Sequence, residues 1–121
     1  EKSAQILLES ISEDNFLVNY TVIPYTGVST IDFRFKVKNT VEIDDFVNDL
    51  ESEIYNGTLS ELYSLAEVDI GPEVYNCSSY STIFLKKGIK IKKNNIYVQG
   101  YFDNENSVNR FYDLVNYLSN K

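Results

Sequence analysis

The clearest pattern along the chain is an alternation of apolar and basic residues between positions 30 and 38. Its apolar members are Phe33, Phe35 and Val37, and its basic members are Arg34, Lys36 and Lys38. A period of two residues is typical of a strand with one buried and one solvated side. The same alternation predicts strands over residues 15–24, 80–86, 88–92 and 95–102, with a turn at Lys93 and Asn94.

Apolar residues at helical spacing predict the helices that accompany these strands. The longest stripe lies within residues 40–55 and consists of Ile43, Phe46, Val47, Leu50 and Ile54. Further helices are predicted over residues 3–11, over 58–66 after a Thr58–Glu61 capping box, and from 104 or 107 to 118. The last helix is expected to turn Val108, Phe111, Val115 and Leu118 towards the core. Residues 67–70 are expected to form a short strand.

This order of elements predicts an α+β fold in which helices pack on one face of an antiparallel sheet. The 121 residues suit one domain, since a chain of this size can bury a core of its own. No linker or short repeat divides the sequence, so the whole of 1–121 is expected to form a single domain.

Composition argues against catalysis. The chain has one cysteine, Cys77, and no histidine, so it lacks the commonest general base and the usual ligands of a transition metal. No phosphate-binding loop, dinucleotide fingerprint or nucleophile elbow is present. We therefore expect a non-enzymatic protein with no catalytic residue, no metal site and no cofactor. No apolar run approaches the roughly 20 residues that span a bilayer, so no membrane span is expected.

The charges are strongly segregated along the sequence. The net charge is −7, which by itself argues against nonspecific nucleic-acid binding. However, seven of the 11 basic residues lie on or beside the predicted strands: Arg34, Lys36, Lys38, Lys86, Lys87, Lys90 and Lys92. Most carboxylates lie on predicted helices or in loops, so one face of the sheet is expected to be cationic.

The side of the sheet away from the helices is the predicted functional surface. Its expected members are Arg34, Lys36, Lys38, Phe84, Lys86, Lys90, Lys92, Tyr97, Gln99 and Tyr101. Lysine and arginine neutralise phosphates, and aromatic rings stack on or wedge between bases, so this combination suits DNA or RNA. A merely solvated strand surface, or a site for an acidic protein segment, would carry the same residue types.

The chain from residue 30 to 118 resembles a single repeat of the TATA-box-binding protein (TBP) family. Tyr75 and Asn76 match the start of that family's Tyr-Asn-Pro motif, and Tyr80 stands at the place of its next aromatic residue. Residues 83–86 resemble the strand that follows, 89–100 the hairpin, and 103–118 the acidic turn and C-terminal helix. The resemblance implies a half-saddle sheet, with residues 1–29 as an N-terminal extension.

The same resemblance implies a DNA-binding role in transcription or genome handling. The family's saddle is built from two repeats, and this chain has one, so a dimer would be needed to rebuild it. In that reading the cations of the sheet contact phosphate, and Phe84, Tyr97 and Tyr101 contact bases or ribose.

Two other functions are left open. The acidic residues of helix 40–55 suit an inhibitor or immunity-type protein that binds a basic protein partner; they are Glu42, Asp44, Asp45, Asp49 and Glu53. A secreted or surface domain is the second alternative, because N-glycosylation sequons begin at Asn19, Asn56 and Asn76. The single cysteine favours an intracellular location over a secreted one.

Overall fold

The computed structural model describes residues 6–12, 14–19, 21, 22, 24 and 27–121. Their elements, in chain order, are the strand β1 (Ser29–Lys36), the helix α1 (Ile43–Asn56), the strands β2 (Tyr63–Ala66), β3 (Thr82–Leu85), β4 (Lys90–Lys92) and β5 (Asn95–Phe102), and the helix α2 (Asn106–Ser119). Short 3-10 turns at Pro72–Tyr75 and Lys86–Gly88 precede β3 and β4. The expected α+β class is confirmed.

β5 is the central strand of a five-stranded sheet. It pairs antiparallel with β1 along its whole length, from Ser29 opposite Phe102 to Lys36 opposite Asn95. Its other edge pairs with β4 through its first half and with β3 through its second half. β2 lies outside β3 and runs parallel to it, so the sheet is mixed rather than wholly antiparallel. Residues 67–81 form the crossover that a parallel pair requires.

The turn Lys86–Gly88 changes the register between β3 and β4. Phe84 lies opposite Gly100, whereas Lys90 lies opposite Tyr97, because a three-residue turn is inserted between the two strands. Side chains alternate between the faces of a sheet, so an insertion of odd length exchanges the faces. Even-numbered side chains therefore lie on the α1 side of the sheet in β3 and on the opposite side in β4.

α1 covers one face of the sheet. Its Ile54 is only 4% exposed and belongs to the main core with Leu65, Ile89, Ile96 and Val98. Phe46, Val47 and Leu50 of the predicted stripe pack against the same cluster. The helical spacing thus identified the buried side of α1 for four of the five predicted residues, whereas Ile43, in the first turn, is 43% exposed. Burial of the other four stabilises the helix on the sheet.

The other face of the sheet is covered over one half only. Val28, Leu85 and Tyr101 form a second buried cluster, against which Ala66 and Tyr75 pack. The rings of Tyr75 and Tyr101 stack with centroids 5.5 Å apart. The 67–81 crossover supplies Tyr75 and therefore shields the β3 end of this face, leaving the β4 end open.

α2 does not bury the apolar side chains that were expected to face the core. Val108, Phe111, Val115 and Leu118 are all exposed, and no residue of the helix is buried. The residues with partial burial are instead polar: Asn106, Asn109, Arg110 and Asn116. The helical prediction for 104–118 is confirmed in type, but the predicted inner side is wrong.

Three other predicted elements differ in the structure. Residues 16–19, 21 and 22 are irregular, so the strand expected over 15–24 is absent from the part of it that is described. The expected helix 58–66 is a turn followed by β2, because Glu61 adopts a positive φ of 65° and the chain then pairs with β3. Residues 67–70 are irregular and belong to the crossover. Of the helix predicted over 3–11, residues 3–5 lie outside the described residues, and residues 6 and 7 are helical.

Candidate functional site

The open half of the second sheet face carries two rows of residues that cross three strands. In the first row Tyr97 of β5 lies between Arg34 of β1 and Lys90 of β4. In the second row Asn95 lies between Lys36 and Lys92. We call this surface the cationic face and define it by these six residues. Neighbouring strands are about 5 Å apart and alternate residues about 7 Å apart, so four cations surround Tyr97 and Asn95 at short range.

The β-hairpin between β4 and β5 sets this arrangement. Lys93 has a positive φ of 57° in the turn, which places Lys92 opposite Asn95 and Lys90 opposite Tyr97. β1 pairs with the other edge of β5 without a break, so Arg34 and Lys36 lie on the same face as Tyr97 and Asn95. The sequence prediction that Arg34, Lys36, Lys90, Lys92 and Tyr97 share one sheet face agrees with this pairing.

The side chains of the cationic face remain accessible. The side chain of Arg34 is 71% exposed and Tyr97 is 38% exposed. Arg34 makes an ion pair of 2.8 Å with Asp32 of its own strand, and this hydrogen bond lowers the pKa of Asp32 and raises the pKa of Arg34. Among the described residues, no carboxylate forms an ion pair with Lys36, Lys90 or Lys92.

Gln99 and Lys38 border the cationic face. Gln99 is exposed and lies opposite Asp32, one row beyond Tyr97. Gly88 passes close to it, since a side-chain carbon added at Gly88 would lie 3.2 Å from Cβ of Gln99. Lys38 is exposed but follows the end of β1, and the last backbone bond between these chain segments joins Val37 N–H to the carbonyl of Asn94.

Phe84 is not on the cationic face, in contrast to the prediction. It lies on the α1 side of the sheet, where it stacks on Tyr63 at 5.4 Å and contacts Phe33 at 6.3 Å between ring centroids. The alternation along β3 predicted that Phe84 points away from α1 and that Ile83 and Leu85 point towards it, and the structure shows the reverse. Ile83 and Leu85 are instead buried on the second face, beneath the crossover. Their apolar character is therefore explained without contact with α1.

Lys86 is also absent from the cationic face. Its Nζ donates hydrogen bonds to Glu51 of α1 at 2.6 Å and to Glu67 at 2.9 Å. These two carboxylates raise the pKa of Lys86, Glu51 contributing more than Glu67. Lys86 therefore ties α1 to the sheet and to the start of the crossover, and its charge is already neutralised.

Tyr101 lies on the predicted side of β5, but it is buried. It is 9% exposed, and its hydroxyl donates to Asp69 Oδ1 at 3.1 Å. Burial is the larger cause of its raised pKa, and the hydrogen bond to Asp69 raises the pKa further. The crossover carries both Asp69 and Tyr75 and so removes Tyr101 from the surface that a ligand can reach.

The acidic residues of the alternative prediction all lie at or on α1 and are exposed. Glu42 is the residue that precedes the helix, and Asp44 and Asp45 occupy its first turn. Asp49 follows one turn later, and Glu53 accepts hydrogen bonds from the backbone N–H and hydroxyl of Thr58, both at 3.2 Å. These carboxylates stand on the side of the molecule opposite the cationic face.

Asn95 and Asp32 belong to the open surface, and neither was predicted as a site residue. Asn95 completes the row between Lys36 and Lys92, and the hairpin turn at Lys93 and Asn94 was the signal that gave its register. Asp32 is the acidic neighbour of Arg34, two residues away on the same strand face. Counting alternate positions back from Arg34 would have identified it.

Apart from the cationic face, the described surface has a small depression and no cluster of metal ligands. A depression of about 230 Å³ lies on the α1 side between Glu42, Ile43, Ile91 and Lys93. Within the described ranges, no group of three or more acidic or cysteine side chains is placed to hold a metal ion, and no helix has both the length and the apolar composition to cross a membrane. No protein-family model and no curated protein sequence matches the chain.

Proposed function

We propose that the chain is a non-enzymatic nucleic-acid-binding domain of TBP-like type that uses the cationic face. Arg34, Lys36, Lys90 and Lys92 would contact phosphates, and Tyr97 would stack on a base or ribose. The observation that carries the proposal is the row in which Tyr97 lies between Arg34 and Lys90 on three paired strands. An aromatic ring flanked by cations is a combination that proteins use to bind single-stranded nucleic acid, because the ring stacks on bases and the cations follow the backbone.

The local charge supports this ligand in spite of the net charge of −7. Lys36, Lys90 and Lys92 have no ion-pair partner in the described part of the chain, whereas Lys86 has two. Lys90 and Lys92 lie on the same face of β4, about 7 Å apart, and Lys36 lies on the far side of β5 from them. A polyanion relieves the repulsion among these cations while releasing its own counterions. An acidic ligand is therefore the chemistry that this surface fits best.

Binding can be measured by fluorescence anisotropy with labelled single-stranded and duplex oligonucleotides. We expect saturable binding at low salt that weakens as salt rises, with a log–log slope of about −3 if four cations engage single-stranded phosphates. Lys90→Gln should reduce the magnitude of that slope by about 0.7 to 1. Tyr97→Ala should weaken single-strand binding by about 1 to 3 kcal/mol.

Lys121→Gln provides the matched control. Lys121 lies at the end of the chain over the ring of Tyr117, away from the sheet, and its replacement removes the same charge. It should leave both affinity and salt slope nearly unchanged. Absence of binding at high micromolar protein and low salt, or equal effects of Lys90→Gln and Lys121→Gln, would contradict the proposal.

An acidic protein-interaction module is the second candidate, and the exposure of Asp44, Asp45 and Asp49 on α1 favours it. A basic protein would be attracted to this helix, since charge complementarity guides association. Replacing these three residues by lysine should abolish capture of such a partner in a pull-down from native material. Replacing Lys36, Lys90 and Lys92 by glutamine should leave that capture intact.

A further inference from the structure

α2 presents an apolar stripe to solvent. The stripe consists of Val108, Phe111, Tyr112, Leu114, Val115 and Leu118, of which Phe111 is 68% and Leu118 is 61% exposed. The partly buried residues on its other sides are polar, Asn109, Arg110 and Asn116, and Arg110 contacts Ser79 of the crossover. A helix in a monomeric domain normally has the reverse orientation, with its apolar side on the core. This orientation indicates that another surface covers the stripe.

The spacing within the stripe is that of a helix-pairing seam. Val108, Phe111, Val115 and Leu118 follow one another at intervals of three, four and three residues, which is the a/d pattern of two helices packed side by side. Tyr112 and Leu114 flank this seam at the e and g positions and widen it. The helix of 14 residues is about 21 Å long, enough for two such repeats.

The charges of α2 are kept off the seam. Arg110 and Asp113 are its charged residues, and they form an ion pair of 3.0 Å with each other on the side of α2 opposite the stripe. Arg110 also donates to the carbonyl of Ser79 at 3.4 Å, which holds this side against the crossover. Charges at flanking positions normally select one helical partner over another, and this seam has none.

We propose that α2 is a homodimer interface, in which the stripes of two copies pack against each other as an antiparallel helix pair. A second copy supplies the same charge-free apolar surface, so it fits without leaving a charge unpaired. A strongly basic partner would gain nothing from a seam that lacks carboxylates. The antiparallel arrangement aligns the helix dipoles favourably.

The area of the stripe is sufficient for a reversible dimer. Six half-exposed apolar side chains present on the order of 600 Å² per copy, so pairing can bury up to about 1,200 Å² in total, the lower end of specific interfaces. Buried area alone does not set the dissociation constant, so a wide range of protein concentration is needed to test for the dimer. A membrane surface is a poorer occupant, since helices that lie on membranes carry lysine and arginine on their polar side.

Sedimentation velocity over a concentration range of about 1 to 500 μM, with the full chain, tests the proposal. We expect a monomer–dimer equilibrium that is maintained or strengthened by added sulfate, because apolar contacts gain from excluded salts. Phe111→Glu and Val115→Glu should each weaken the dimer at least 100-fold. Tyr117→Glu is the matched control, since Tyr117 is equally exposed but lies on the opposite side of α2.

Substitution on the stripe should not unfold the monomer, because these side chains are already exposed in it. Circular dichroism melts at low micromolar concentration check this for each variant. A dimer that Phe111→Glu disrupts and Tyr117→Glu preserves supports the proposal. A protein that stays monomeric throughout, a dimer that survives Phe111→Glu, or capture of vesicles in place of self-association would overturn it.

Discussion

Tyr97 and Tyr101 show how the same residue type on one strand face has two different roles. Both point away from α1, and three residues of β5 lie between them. Tyr97 is open to solvent between two cations, whereas Tyr101 is buried under Tyr75 and bonded to Asp69. The difference arises from the crossover, which covers only one end of this face. The first ring is available to a ligand, and the second stabilises the fold.

Replacement of each tyrosine by phenylalanine separates these roles. Tyr101→Phe removes the hydrogen bond to Asp69 and should lower the free energy of unfolding by about 1 to 2 kcal/mol. Tyr97→Phe should change it by less than about 0.5 kcal/mol, because that hydroxyl lies at an exposed position. Urea titration of both variants checks the difference. Equal losses in the two variants would contradict the assignment.

The buried hydroxyl of Tyr101 also makes the stability depend on alkaline pH. Burial and the bond to Asp69 raise its pKa above the ordinary value of 10.0, so the folded state holds this proton more tightly than the unfolded chain does. The resulting stabilisation is complete below pH 10 and is lost as the pH rises through the higher pKa of the folded state. Urea midpoints between pH 8 and 11 should therefore fall more steeply in the native protein than in Tyr101→Phe.

Gly100 is required by the close approach of β3 to β5. A side-chain carbon at this position would lie 2.7 Å from the carbonyl oxygen of Ile83 and 2.8 Å from Cγ2 of Thr82. The backbone oxygen belongs to a paired strand and cannot move freely. Gly100→Ala should therefore lower the free energy of unfolding by about 1 to 3 kcal/mol in chemical denaturation. An unchanged midpoint would show that β3 and β5 are further apart than the structure places them.

At the scale of elements, α1 and α2 have similar amphipathic sequences and opposite orientations. α1 turns its stripe onto the sheet, and α2 turns its stripe to solvent. The periodicity predicted both helices, since the pattern of apolar residues determines which side of a helix is apolar and can pack against another surface. It did not determine what each stripe meets, and in α2 the residue that contacts the crossover is Arg110 rather than a member of the stripe.

A pair of alanine substitutions distinguishes the two helices. Ile54→Ala removes a side chain that is 4% exposed and should lower the free energy of unfolding by about 2 to 5 kcal/mol. Leu118→Ala, at a position that is 61% exposed, should cost less than about 0.5 kcal/mol when measured at low micromolar protein. A large loss in Leu118→Ala under these conditions would mean that α2 packs on its own sheet.

β2 illustrates why an element type can be missed. Leu59, Leu62, Tyr63 and Ala66 have helical spacing, and Leu62 and Tyr63 both donate to the carbonyl of Leu59 in a single turn. Glu61 then adopts a left-handed conformation, and the chain extends so that Leu65 pairs with Phe84 and enters the core. Long-range pairing overrides local propensity here, and it involves a strand that begins about 20 residues later.

At the scale of the whole molecule, charge is divided between two sides. The cationic face carries Arg34, Lys36, Lys90 and Lys92, while the exposed carboxylates Asp44, Asp45 and Asp49 stand on α1 across the sheet. The net charge of −7 repels a polyanion at a distance, although the local surface attracts it. Under the proposed function, association with nucleic acid is therefore expected to be slower than the cationic face alone would allow.

Neutralising α1 should reveal this long-range repulsion. Asp44→Lys combined with Asp49→Lys is expected to raise the association rate with an oligonucleotide several-fold at low salt. The matched variant, Asp44→Asn with Asp49→Asn, changes the net charge by half as much and should raise the logarithm of that rate by about half as much. The gain should vanish near 0.5 M salt, where the screening length is only about 4 Å. Stopped-flow anisotropy measures these rates. A change in the dissociation rate instead would place α1 in the contact surface.

The sequence alone determined the two periodicities, the α+β class, the exact span of β5, the hairpin turn and the segregation of charge. These follow from local chemistry, since alternation of two and spacing of three to four residues reflect backbone geometry. Only the tertiary structure decided the faces of Phe84 and Lys86, the burial of Tyr101 and the outward stripe of α2. Each depends on a contact between distant parts of the chain: a register shift of three residues between β3 and β4, a crossover that closes half of one face, and polar contacts that turn α2 around.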